Sequence, residues 1–473
     1  MNKSKLKNFK LICPKTLFLI LFIMILILKS SILNTPHHWD SIARDLPISI
    51  WIKNNNFNPF PQTNNYNGHP VFFYEILALS FFIFGESLFV SHLVTLIFAF
   101  LAVYFTYLLG KYLYKEKVGI IAALLLFFSP LFFAQSGIVQ IEIAFAALSI
   151  ITIYFTITNE VKWYLIIGSF LVLTKEPAVL IIFCILIYRY IKNPNFLKKL
   201  LIYSIPLFIF GLWMMINKLV FDWFLYTSSV SYLDVSINIL PRLLERFKEV
   251  FILDYKWILT FLVSISALKF YINKRRDLKI VARDEYILFL LIILAISLYC
   301  CFIGKAFLIR YILVLYPIFF VVGANSLNSL FEKNVKIILM TLFLIGLFIT
   351  RWGGNRINRC GCELESNLEY LDLVKTHYKA AKYIETNFPN ATVLTTWPQT
   401  RELTFPYLGY VITPIKIKTA YEYDLNLSDI DLIYYSPQSH EPEILLDIMT
   451  NLNLTLLKRF EQNGKYSEIY KPS

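Results

Sequence analysis

Residues 37–85 read HHWDSIARDLPISIWIKNNNFNPFPQTNNYNGHPVFFYEILALSFFIFG, a polar and aromatic stretch set between the apolar runs Leu17–Leu28 and Leu88–Leu109. Structureless connections longer than about 12–15 residues are usually functional or disordered. This one is too rich in Trp, Phe, Tyr and Pro to be a disordered tether. Asp40 starts it, a helix-period stretch follows, and Gly68-His69-Pro70 marks the return to apolar sequence. It reads as an active-site loop, and the apolar runs on either side of it decide what kind of fold presents it.

Those runs recur along the whole chain. Of 473 residues, 57% are hydrophobic and only 16% charged, where a soluble domain carries about 25% charged residues. The apolar residues come in blocks of roughly 17–22, the length that crosses a bilayer. The fold expected is an α-helical polytopic membrane protein. The net charge of +13 lies in short Lys/Arg clusters between the blocks, which fits the positive-inside rule and contact with anionic membrane lipids. Nucleic acid would call for a basic patch on one face, so it is not an expected partner. Cys13, Cys184, Cys300 and Cys301 lie in or beside apolar segments, where cysteine acts as a small hydrophobe. Cys360 and Cys362 form a lone Cys-x-Cys, short of the four ligands of a zinc site.

In chain order, Lys3, Lys5, Lys7, Lys10 and Lys15 precede Leu17–Leu28 with no small-residue cleavage site after it, the pattern of a signal anchor with its N-terminus in the cytoplasm. The opening loop, 34–87, then lies outside. Further spans are expected at about Leu88–Leu109, Val118–Ala134, Ile141–Thr158, Trp163–Leu173, Ala178–Tyr190, Leu200–Ile216, Trp257–Ile272, Tyr286–Ile303, Leu308–Ala324 and Val335–Thr350. Trp163–Leu173 and Ala178–Tyr190 meet at Thr174-Lys175-Glu176-Pro177, where proline stops a regular helix. A second outer loop, 218–251, contains the amphipathic Pro241–Phe251, suited to the membrane interface. About eleven spans put the C-terminus outside and every strongly basic loop, above all Lys274–Arg283, inside. Residues 1–350 thus form the membrane domain. Residues 351–473 alternate helical stretches with short apolar strands (Ala391–Thr396, Asp431–Tyr435, Leu456–Phe460, Tyr466–Tyr470), the pattern of a small α/β domain.

Ionisable groups at membrane depth are costly and are functional candidates by default. In this topology Asp40, Glu142, Lys175, Lys305 and Arg310 collect at the outer face. Bases there suit a phosphate, with Arg able to bind it bidentately, and an acid suits deprotonation of a hydroxyl. A sugar on a lipid phosphate carrier supplies both. Each residue also has a plainer reading. Asp40 caps a helix starting at Ser41. Arg44, one turn on, is its ion-pair partner or a phosphate contact. Glu142 is a helix-end charge, Lys175 and Arg310 snorkel to the interface, and His69 shapes the turn before Pro70. His37 and His38 beside Asp40 are weak candidates for a divalent metal; no cofactor is firmly implied.

The ordered set resembles the GT-C type of polytopic glycosyltransferases, in the branch of the protein mannosyltransferases and the lipid A aminoarabinose transferase. Asp40 in Trp-Asp-Ser-Ile-Ala-Arg stands where that family has an acid after its first span. Gly68-His69-Pro70-Val71-Phe72-Phe73-Tyr74 with Ile83-Phe84-Gly85 is similar to its entry to the second. Glu142, Thr174–Pro177 and Arg310-Tyr311 through Pro317 follow in the family's order. The likeness spans the membrane part, and many relatives end in a small outer domain. It implies an inverting, single-displacement transfer from a polyprenyl- or dolichyl-phosphate sugar to a hydroxyl on a protein, lipid or glycan. Asp40 and Glu142 would be catalytic, Arg44, Lys175, Lys305 and Arg310 would hold the phosphate, and His69, Tyr74 and Tyr311 would line the donor/acceptor pocket. The family's Asp-Glu pair is Asp40-Ser41 here, its second proline is Val71 and its usual Asp is Glu142, which leaves sugar and acceptor open. A transporter or flippase of lipid-linked sugar would show interrupted helices in two repeated halves, and no repeat is present. A non-catalytic scaffold would tolerate loss of the loop charges.

Overall fold

The computed structural model describes residues 14–63, 66, 68–226, 239–273, 281–303, 307–332, 339–340, 343–346, 361–422 and 427–472. Lys305, Cys13, Cys360, the basic residues Lys274, Arg275, Arg276 and Lys279, and most of the expected span Val335–Thr350 lie outside them.

The chain is mostly helical, as lipid requires of any segment that must satisfy its own backbone hydrogen bonds. The first nine helices are α1 (Pro14–Lys29), α2 (Leu46–Asn54), α3 (Phe72–Phe84), α4 (Leu88–Leu113), α5 (Glu116–Phe128), α6 (Pro130–Gln135), α7 (Ile141–Ile157), α8 (Val161–Val172) and α9 (Ala178–Lys192). α7 is apolar on every side and buried along almost its whole length, the character of a helix at the centre of a bundle. α4 packs against it and against α5. A Cβ on Gly119 would run into the Tyr107 carbonyl oxygen, so the small residue is what lets these two helices meet.

Two expectations are corrected here. The span drawn as Val118–Ala134 is two helices, because Pro130 opens a new one after Ser129 and has no N–H with which to continue the first. Residues 37–85 are not one loop: Ser41–Asp45 is a π-helical turn that runs into α2, and α3 already belongs to the bundle. Among the described residues of this stretch, 55–63, 66 and 68–71 form the longest part outside the helices. α3 is hidden in the sequence because its 13 residues rise only about 20 Å, short of a full crossing. The turn Thr174–Pro177 does separate two short helices, α8 and α9, as the proline predicts.

Among the described residues, four helices have the length and composition to cross a membrane alone: Leu88–Leu113, Asn195–Phe221, Glu285–Phe302 and Ile309–Leu330. Leu240–Phe251 and Lys256–Lys269 form a fifth candidate bent by 95°; the first half is the amphipathic segment expected to lie along an interface. Thr16–Ile32, Phe72–Phe84, Ile141–Ile157 and Val161–Val172 are apolar but shorter. The count of eleven therefore stands only as an expectation.

The C-terminal part is α/β as anticipated. Its five-stranded sheet has the order β2-β1-β3-β5-β4, from β1 (Thr392–Thr395), β2 (Lys416–Thr419), β3 (Leu432–Tyr435), β4 (Leu454–Gln462) and β5 (Lys465–Pro472). β1 runs parallel to β2 and β3, and β5 antiparallel to β3 and β4. β2, an edge strand, is not evident in the sequence because Lys416 and Lys418 break its apolar signal, a common device for protecting an edge. Helix Tyr370–Asn387 packs on β4 and β5. Its buried His377 bonds Glu402 through Nδ1 (3.0 Å) and Ser436 through Nε2 (3.1 Å), which ties helix to sheet. This domain sits directly on the start of residues 37–85. Tyr410 donates to the His37 carbonyl (2.8 Å), His37 N–H donates to the Leu408 carbonyl (3.1 Å), and Trp397 meets Trp39 edge-on at 4.5 Å.

Candidate active site

The site forms at the end of the bundle where α1 finishes and α3 and α7 begin. Trp39 takes φ +44°, a left-handed conformation that costs a bulky side chain energy and persists only where its surroundings enforce it. The enforcers are on either side. Its indole is held by Trp397, and its carbonyl accepts from Ile42 N–H (2.8 Å) and Ala43 N–H (2.9 Å). Ser41, on the other side of Asp40, donates its Oγ–H to the Val139 carbonyl at 3.0 Å. The π-helical turn that follows is rare in general and frequent at functional sites. Together they aim Asp40 inward.

Asp40 does not cap the helix: its side chain makes no cap hydrogen bond. It receives Arg310 Nη2, and Arg44 Nη2 stands 3.4 Å away. Arg310 is the hub. Besides Asp40, its Nε donates to Glu142 Oε1 at 3.2 Å and its Nη1 donates to Glu365. Glu142, in the first turn of α7, also accepts from Lys175 Nζ at 3.0 Å through Oε1, while its buried Oε2 has no hydrogen-bond partner among the described residues. Lys175 lies 4.2 Å from the centre of the Tyr311 ring, a cation–π contact. Arg44 completes the set through Asp45 Oδ1 at 2.9 Å. The side chains of Arg310, Glu142 and Glu365 are 2–3% exposed, but that of Asp40 is 21% exposed. Asp40 is thus the reachable carboxylate of the cluster. Burial works to protonate it, but Arg310 and then Arg44 outweigh burial and hold it below the ordinary carboxylate range. It is ionised at neutral pH.

Of the residues singled out from sequence, Asp40, Arg44, Glu142, Lys175, Arg310 and Tyr311 meet in this one cluster. The snorkelling readings of Lys175 and Arg310 do not hold, since both are buried against carboxylates. His69 stands beside it. Its Nδ1 bonds both Glu176 oxygens, at 2.8 and 3.0 Å, and Phe72 N–H donates to the Leu173 carbonyl at 2.8 Å. The entry to α3 and the Thr174–Pro177 turn, two motifs about a hundred residues apart, are therefore one structural unit. Tyr74 is buried near Arg44 and Asp45. His37 turns away, bonding Ser91 Oγ at 3.2 Å and stacking on His92, and the ring of His38 lies against Tyr370. Among the described residues no three His, Cys, Asp or Glu side chains are grouped to hold a metal.

Residues 68–220 match the model of the family described as dolichyl-phosphate-mannose-protein mannosyltransferase. No curated protein matches the chain in sequence. In three dimensions it is similar to ArnT from Cupriavidus metallidurans bound to undecaprenyl phosphate, at 12% identity and a TM-score of 0.62, over 96% of this chain and 98% of that one. The fold is that of the GT-C glycosyltransferases. The Archaeoglobus fulgidus oligosaccharyltransferase in complex with Zn and sulfate shares it at 13% identity and a TM-score of 0.52, over 89% of this chain and 67% of that chain. The matched stretch takes in His69, Tyr74, Glu142 and Lys175, whereas Asp40 and Arg310 lie outside it and join the cluster only through folding. Sequence reading misses Glu365 and its neutral support Gln140, whose Nε2 donates to Glu365 Oε1 at 2.8 Å. Glu365 stands beyond the last expected span in a stretch with no periodicity to mark it. Asp45 and Glu176 lie inside quoted motifs, and only their partners reveal their roles.

Proposed function

We propose that this protein transfers a sugar from a polyprenyl- or dolichyl-phosphate carrier to a hydroxyl acceptor at the outer face of the membrane, inverting the anomeric carbon. The observation that carries the reading is the position of Asp40, a reachable, ionised carboxylate bordered by Arg310 and Arg44. A base and its neighbouring cations are what a phosphate leaving group and an incoming hydroxyl require. Asp40 takes the acceptor proton as the hydroxyl oxygen attacks the anomeric carbon. The bond to the phosphate oxygen breaks, and Arg310, Lys175 and Arg44 take the charge that develops on the phosphate. Preorganised cations at developing charge usually do more for such a reaction than any other single effect. Tyr311, under Lys175, and Tyr74 line the pocket, and His69 fixes its edge.

The family match over residues 68–220 and the undecaprenyl phosphate bound by the similar ArnT support a lipid-phosphate donor. Membranes carrying Asp40→Asn, nearly isosteric but unable to accept the proton, are expected to lose transfer from a lipid-linked sugar by about 10²–10⁴-fold. Wild-type transfer in those membranes sinks the assignment of Asp40.

A further inference from the structure

The site as it stands has no room, in charge, for the phosphate it is read to bind. Three cations, Arg44, Lys175 and Arg310, face four carboxylates: Asp40, Asp45, Glu142 and Glu365. Adding a phosphate, singly charged in the sugar-bearing diester and up to doubly charged once the sugar has left, to a buried cluster in which carboxylates outnumber cations is strongly unfavourable unless a carboxylate is neutralised or leaves. Arg310 in particular has each of its nitrogens on an acid: Nη2 on Asp40, Nε on Glu142, Nη1 on Glu365.

The four acids are not equivalent. Asp40 has two cations, Arg310 and Arg44, and Glu142 also has two, Lys175 and Arg310. Asp45 is held by Arg44 from the adjacent residue. Among the described residues Glu365 reaches one cation only, and its other oxygen is met by the uncharged amide of Gln140. It also differs in origin, coming from the turn Gly361–Ser366 that leads into the C-terminal domain rather than from a bundle helix.

We propose that Glu365 is an internal stand-in for the donor phosphate: it occupies Arg310 in the empty protein and is displaced when a lipid phosphate binds. This rests on the reading of Arg310 as a phosphate-binding cation. The titratable groups facing Glu365 are Arg310, Asp40 and Glu142 from the bundle and Tyr370 from helix Tyr370–Asn387. Burial, opposed by Arg310 and reinforced by Asp40, pushes the Glu365 carboxyl up to about 7, so it can take a proton as it yields Arg310. The device links occupation of the donor site to the C-terminal domain. It also keeps Nη1 of the buried Arg310 guanidinium paired between turnovers.

Full-length protein in detergent, titrated with undecaprenyl phosphate in mixed micelles at pH 8 and at pH 6, tests the proposal. Glu365→Gln keeps the Gln140 contact but cannot compete for Arg310, so it is expected to bind about tenfold more tightly than wild type at pH 8. The advantage should shrink by pH 6, where wild-type Glu365 is itself protonated. The titration of the phosphate is common to both proteins and cancels in the ratio. Arg310→Ala should weaken binding in either background. If Glu365→Gln binds no more tightly than wild type while Arg310→Ala weakens binding, the stand-in role is wrong and the phosphate reading survives. If Arg310→Ala binds as wild type does, both are wrong. Should Glu365→Gln not fold, Glu365→Asp, one methylene shorter, is expected to shift affinity in the same direction, and a loss of affinity there overturns the proposal. A merely structural glutamate predicts that loss, not a gain.

Discussion

Glu142 shows how a single buried charge can serve structure and chemistry together. One of its oxygens holds both Lys175 and Arg310, and the three are almost completely buried. Breaking such a pair by removing one partner leaves uncompensated charge, which costs roughly 3–5 kcal/mol. Glu142→Ala is therefore expected to lower the Tm of the detergent-solubilised protein clearly. An unchanged Tm would mean that the two cations find other partners. His69 behaves differently, because its pairing with Glu176 is only half-buried. Glu176→Gln keeps the shape and loses the charge, so the expected cost is about 1 kcal/mol. It should show itself more in KM than in Tm, because the bond fixes the rim of the pocket and not the core.

The helices set where those side chains can go. α4 and α5 touch backbone to backbone at Gly110 and Gly119, and nothing larger fits at Gly119 without pushing on the Tyr107 carbonyl. Gly119→Val is expected to separate the pair and shift the protein from a monodisperse to an aggregated peak in fluorescence-detected size exclusion. α4 also packs on α7, whose first turn carries Glu142, so any surviving Gly119→Val protein should be less active than its yield suggests. Most of these elements are readable from the chain. Apolar blocks mark the bundle helices, Pro177 marks the break between α8 and α9, and alternating short strands mark the C-terminal sheet. What is not readable follows from the same physics. α3 is too short to announce itself as a span, Pro130 divides a run that hydropathy alone leaves whole, and the lysines of β2 mask its pairing.

At the scale of the molecule, the bundle and the C-terminal domain make the site jointly. Trp397 and Tyr410 hold the backbone on which Asp40 rides, and the turn before helix Tyr370–Asn387 brings Glu365 to Arg310. This has a consequence for stability against pH. Burial, against the pull of Arg44, raises the Asp45 carboxyl to about 6, and burial raises Glu365 to about 7. A carboxyl whose folded-state pKa is raised contributes stability that is complete below its ordinary value and is lost as pH climbs through the folded one. Tm is therefore expected to fall as pH rises from about 4, the ordinary carboxyl value, to about 7 and to level off above it, with a shallower fall in Glu365→Gln. Asp40, shifted the other way, acts only at more acid pH. An identical slope in wild type and Glu365→Gln would remove Glu365 from the account.

By itself the sequence determined the class of fold and most of the cast. Hydropathy is local, so the apolar blocks are visible residue by residue. Charges stranded beside them stand out because burying an ion is costly wherever it occurs, and Asp40, Arg44, Glu142, Lys175 and Arg310 stand out that way. The tertiary structure decided who pairs with whom. Arg310 lies 270 residues from Asp40 and 168 from Glu142, and no periodicity along one chain encodes such a meeting. It decided as well that the strained turn at Trp39 is held by the far end of the protein. Glu365, with no local pattern of its own, became part of the site only when packing carried it there.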